Sequence, residues 1–104
     1  MNPRKLAKLR RDIEGLRKRL ATIKGRELES IVTRLGRKPA GGRGKEPAWI
    51  SDELPHRNPI TIPRHGGNKD LRPKTARNII EQCELDLDEL EKKYGAPNRK
   101  EGVK

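Results

Sequence analysis

The chain has 104 residues, of which 30% are hydrophobic and 39% charged, with a formal net charge of +11 and a mean hydropathy of −1.07. That length has room for one modest core, and no apolar run approaches the ~18–20 residues of a membrane span. One Cys and two His exclude a Cys/His-rich zinc site, so neither a structural metal nor a cofactor is expected.

Phe is absent, and Trp49 and Tyr94 are the only aromatics, so the core must be built mainly from Leu and Ile. The charge is uneven. Residues 1–45 carry fifteen Lys/Arg against four Asp/Glu, whereas residues 46–104 carry eleven of each. Within the second half, residues 81–91 hold six acids and no base. A basic surface attracts polyanions, and phosphate backbones are the commonest polyanion in a cell; a solvated helix kept for solubility is the plainer alternative. Cys83 has no partner for an internal disulfide, which fits a reducing, cytoplasmic setting.

In chain order, residues 3–24 read as an amphipathic helix. Leu6, Leu9, Ile13, Leu16, Leu20 and Ile23 step by three and four, the seam of a heptad pattern. Asn2 and Pro3 suit the N-cap and first helical position, and Gly25 suits the stop. So narrow a stripe packs on another helix, either within the chain or in a second copy. A second helix is expected over about 26–35, with Leu28, Ile31, Val32 and Leu35 on one face and Gly36 ending it. Residues 37–45 form a glycine-rich basic loop or weak edge strand. They lack the GxxxxGK[ST] order of a nucleotide-binding loop.

Two short strands follow, at about 47–51 around Trp49 and Ile50, and at 59–63, where Ile60 and Ile62 alternate with Thr61. Pro47, Pro59 and Pro63 mark strand ends or an edge. A strand Trp in a chain without Phe is expected to fill the core rather than to stack on a base. Residues 64–72 make a turn, and a helix begins at Pro73 with Ala76, Ile79, Ile80 and Cys83 inward. A separate last helix is expected over about 87–94, because Asp86 and Glu89 have capping-box spacing. Leu87, Leu90 and Tyr94 form its apolar face, and residues 96–104 read as a mobile tail. This acidic helix and the basic first helix could dock antiparallel, with the leucines rather than the exposed ion pairs carrying the contact.

The run Pro59-Ile60-Thr61-Ile62-Pro63-Arg64-His65-Gly66-Gly67-Asn68-Lys69-Asp70-Leu71-Arg72-Pro73, continuing through Lys74-Thr75-Ala76-Arg77-Asn78-Ile79-Ile80, resembles the HicA family. The shared features are a strand ending in proline, a His-Gly turn, an Asp-Leu-Arg-Pro lead-in and a helix that continues with an apolar pair. Residues 26–36 resemble the family's first helix more weakly. The resemblance implies an α+β fold like a double-stranded-RNA-binding domain, α-β-β(-β)-α, with an extra N-terminal helix and an extra C-terminal helix. Residues 1–24 would be an N-terminal extension, residues 25–95 the HicA-like domain with its added helix, and residues 96–104 the tail.

The resemblance also implies function. The family's members are toxins of bacterial toxin–antitoxin pairs, RNA endonucleases held inactive by a HicB-type antitoxin. Its catalytic histidine lies in a Gly-Ser-His run that opens the central strand, and the corresponding stretch here is Gly44-Lys45-Glu46. Metal-free RNA cleavage needs a base for the 2′-hydroxyl proton and an acid for the leaving oxygen. Glu46 as base, Lys45 as a stabiliser of the phosphorane charge, and His65 of the His-Gly turn are the candidate catalytic residues. His65 could instead shape its turn, and Lys45 and Glu46 could simply be a solvated strand start. Arg43, Arg64, Lys69, Arg72 and Lys74 are candidates for an RNA-facing surface, with a scattered solvated set as the alternative. His56 reads as surface. A binding module without cleavage, or a nucleic-acid-binding protein built on a self-associating basic helix, remain open as other functions.

Overall fold

The computed structural model describes residues 2–40, 48–63 and 69–95. The chain runs α1 (Pro3–Arg17), a short 3-10 turn (Leu20–Thr22), α2 (Gly25–Arg34), β1 (Arg37–Ala40), β2 (Ala48–Ser51), β3 (Ile60–Thr61) and α3 (Pro73–Tyr94). The strands form one antiparallel sheet in the order β1-β2-β3, with Arg37 opposite Ser51, Pro39 opposite Trp49, and Trp49 opposite Ile60. This is the expected α+β class, with an α-β-β-β-α order from α2 to α3 and one helix in front. Pro39 is tolerated because β1 is an edge strand, where the missing N–H breaks no ladder on its outer side.

Local chemistry accounts for most element ends. The Lys5 amide donates to the Asn2 side chain at 2.9 Å, and Pro3 fills the first position of α1, where no donor is needed. Gly36 follows α2 with φ of +93°, a left-handed conformation that costs a glycine nothing. Two expected boundaries differ. The first helix ends at Arg17 rather than at 24, and the chain then tightens into the 3-10 turn. Gly25 is not a stop but the first residue of α2. A Cβ there would come within 3.0 Å of the Pro63 carbonyl oxygen, so its role is to let two backbones approach closely.

The last two expected helices are one. α3 continues without a break through residues 84–86, and Asp86 caps nothing. No glycine or proline interrupts the run, and the Asp86 carboxylate is taken by arginine side chains instead of backbone amides.

One apolar cluster unites all the layers. It contains Leu6, Leu9, Ile13 and Leu16 of α1, Leu28, Ile31 and Val32 of α2, Trp49 and Ile60 of the sheet, and Ile80, Cys83, Leu87 and Leu90 of α3. Trp49 is buried, as expected of a core residue, and its indole Nε1 has no hydrogen-bond partner among the described residues. The heptad stripe is therefore consumed within the chain. α1 lies antiparallel along α3, as its ion pairs show. Arg10 meets Asp88 and Glu91, while Arg17, two turns on, meets Glu84 two turns back. Fully burying a Leu or Ile side chain contributes roughly 1.5–3 kcal/mol, several times an exposed ion pair, so the apolar stripe carries this contact.

Candidate nucleic-acid interface

The lead-in to α3 is pinned to the start of α2. The Leu71 amide donates to the Ile23 carbonyl at 2.7 Å, and Lys24 and Asp70 form an isolated antiparallel bridge. The Lys24 ammonium also donates to the Asp70 carboxylate at 2.8 Å. Leu71 is buried in this corner, which leaves its neighbours Lys69, Arg72 and Lys74 outside. All three are exposed, and none has an ion-pair partner among the described residues.

Arg72 is the N-cap of α3 and Pro73 its first residue. No side chain caps this end, and the first turn carries no acid. Free amides at a helix start attract anions, and the flanking cations strengthen that field. Three of the candidate RNA-facing residues are thus gathered at one helix end. Arg43 and Arg64 lie outside the described residues, as do the catalytic candidates Lys45, Glu46 and His65. In chain order, Lys45 and Glu46 come just before Ala48, the first residue of the central strand β2.

His56 is exposed, as expected, and its Nε2 lies 2.9 Å from the Glu89 carboxylate. Among the described residues no group of three or more His, Cys, Asp or Glu is arranged to hold a metal ion. No helix there is long and apolar enough to cross a membrane.

Behind the sheet lies a polar cluster that the sequence did not reveal. The Arg37 guanidinium donates through Nε and Nη2 to both Asp86 oxygens, and through Nη1 to the Trp49 carbonyl at 2.6 Å and the Asn58 carbonyl at 3.2 Å. Arg57 adds its Nε to Asp86 at 3.0 Å and its Nη2 to the Gln82 side chain at 3.0 Å. Through Arg37 and Arg57, one carboxylate on α3 therefore ties down the start of β1, the Trp49 carbonyl within β2 and the segment before β3. Its function is positioning: it fixes the central strand against α3. No local pattern marks a partner forty-nine residues away.

The model of the family described as HicA toxin of bacterial toxin–antitoxin matches residues 25–85, more than half of the chain. The match runs from the first residue of α2 through the sheet to the middle of α3, and α1 lies outside it. No curated protein matches the chain, and neither does any solved structure. The match over these residues, on the fold described above, establishes that the chain belongs to the HicA toxin family, the toxin side of a bacterial toxin–antitoxin system.

Proposed function

We propose that this toxin acts on RNA, that it cleaves mRNA without metal, and that a HicB-type antitoxin neutralises it. The observation that carries the reading is the family match across α2, the sheet and α3, and the exposed Lys69, Arg72 and Lys74 at the start of α3 support it. Folds of this class recognise phosphates and 2′-hydroxyls more than base sequence. In the reaction, a base removes the 2′-hydroxyl proton, the oxygen attacks the adjacent phosphorus, and the 5′-oxygen leaves with a proton from an acid. Glu46 is the proposed base, His65 the proposed acid, and Lys45 the group that offsets the charge of the phosphorane. Arg43, Arg64, Lys69, Arg72 and Lys74 would hold the backbone.

Expression of the chain alone should arrest growth and degrade transcripts, and Glu46→Ala or His65→Ala should relieve both effects. If both variants stay fully toxic, the site assignment is wrong. One observation favours a second reading, a toxin-fold module that binds RNA or antitoxin without cutting: Gly44-Lys45-Glu46 has no histidine. Carboxylates and ammonium groups ordinarily titrate near ~4.3 and ~10.4, far from the neutral range that proton transfer needs. RNA that is shifted on a gel but left intact in chelator would decide for this second reading.

A further inference from the structure

A groove of about 600 Å³ runs between α1 and α2, and its lining includes Arg11, Gly15, Arg19, Arg26 and Arg34. Two of these arginines are already neutralised: Arg34 meets Asp12 at 2.9 Å, and Arg19 pairs with Glu27. Arg11 and Arg26 also line the groove, and neither has an acidic partner among the described residues. Arg34 also lines a second concavity, with Lys5, Lys8 and Leu9. Along α1 the stretch from Lys5 to Arg17 covers roughly 18 Å at 1.5 Å per residue. At its other end, Arg26 lies two residues from Lys24, whose bridge to Asp70 leads to Lys69, Arg72 and Lys74.

The groove is open at Gly15. Gly15 sits mid-helix without positive φ, and a Cβ built there meets nothing within 4 Å. Neither backbone geometry nor packing requires glycine at that position. Its absent side chain leaves space between the two rows of cations.

We propose that the α1–α2 groove is a track for an RNA phosphate backbone, with one wall contributed by α1, which lies outside the family match, and the other by α2, which lies within it. This rests on the reading that the chain binds RNA, and extends the phosphate-binding surface from the start of α3 onto α1 and α2. An acidic protein segment fits less well. Protein interfaces are anchored by apolar side chains in pockets, whereas the apolar residues lining the groove, Leu16 and Ile31, are already buried in the core. The single large apolar side chain exposed among the described residues, Leu85, is on α3 and does not line the groove.

The test is the affinity of the full chain for a fluorescently labelled RNA hairpin, measured by anisotropy over a series of salt concentrations. Gly15→Glu puts a negative charge on the groove floor, and Gly15→Gln fills the same space without one. Gly15→Glu and the double change Arg11→Ala with Arg26→Ala should each weaken binding, by about tenfold near 0.1 M salt for each phosphate the groove no longer neutralises, and should lower the salt slope by about 0.7–0.9 for each such phosphate. Gly15→Gln should bind more tightly than Gly15→Glu. Groove variants with unchanged affinity, beside weaker binding by Arg72→Ala with Lys74→Ala, would overturn the groove and leave RNA binding standing. Wild-type protein that fails to bind the hairpin overturns both. Groove variants that keep RNA but no longer hold an acidic protein partner would also overturn the proposal.

Discussion

Arg37 at the start of β1 and Asp86 in the middle of α3 form a two-pronged ion pair whose side chains are 0% and 1% exposed. Such a pair stabilises a fold little compared with apolar packing, because both charges have been stripped of their water. Its effect is specific instead. With Arg57 as a second donor, Asp86 accepts only from groups that arrive when β1 and the segment before β3 are correctly placed.

Breaking the pair from one side should therefore be costly. Asp86→Ala leaves the Arg37 charge buried and unpaired, and is expected to cost about 3–5 kcal/mol in denaturant unfolding. Arg57→Ala, whose side chain is 16% exposed, should cost clearly less. Equal destabilisation by the two would contradict the view that the buried charge dominates.

The packing of α1 on α3 gives a second prediction. Ile13→Ala removes buried apolar volume and should destabilise by about 2–5 kcal/mol. Arg17→Ala removes an ion pair whose arginine is 40% exposed, and should cost under about 1 kcal/mol. Arg10 lies between: Glu91, the chief cause of its strengthened hold on the proton, is nearly buried.

Much of this architecture was legible because it is periodic. The three-and-four spacing from Leu6 to Leu16, the Leu28 to Leu35 face and the docking of basic on acidic helix all follow from local pattern and charge. The misreadings share a cause. Asp86 with Glu89 has the spacing of a helix start, and only the arriving arginines show that its carboxylate is used elsewhere. Gly25 after Ile23 resembles a helix stop, whereas the reason for it is the backbone of Pro63, far along the chain. Of the candidate RNA-facing residues, Lys69, Arg72 and Lys74 came together at the start of α3 because Leu71 beside them is buried. Arg11 and Arg26, which line the proposed groove, carry no local signal in the sequence, since the groove exists only once α1 and α2 are packed.

Cys83 offers a chemical check on the core. Burial, with a smaller contribution from the Asp86 charge, pushes its thiol up to about 12. The thiolate is the reactive form, so the folded protein should resist thiol reagents at about pH 8, below the ordinary thiol value of ~8.5, and react fully once denatured. Rapid labelling of the native protein would show that α3 opens at this point.

Acid stability follows from two carboxylates. The Arg19 side-chain hydrogen bond lowers Glu27, and the Tyr94 hydroxyl and then Lys93 lower Glu53, both from an ordinary value of 4.5. A depressed folded value contributes stability that is present above about 4.5 and is lost as pH falls through the folded value. Titration followed by NMR should place both midpoints below 4.5, and Glu53→Gln should reduce the drop in thermal stability below that pH. A midpoint at or above 4.5 for either group would contradict its ion pair or hydrogen bond.

The central claim, that this HicA-family toxin acts on RNA, is tested most directly by mixing the purified full chain with labelled mRNA in chelator and following both mobility and length. The account predicts a complex that weakens steeply with salt and fragments that appear with wild-type protein but not with Glu46→Ala. RNA that neither shifts at low salt nor shortens would contradict it.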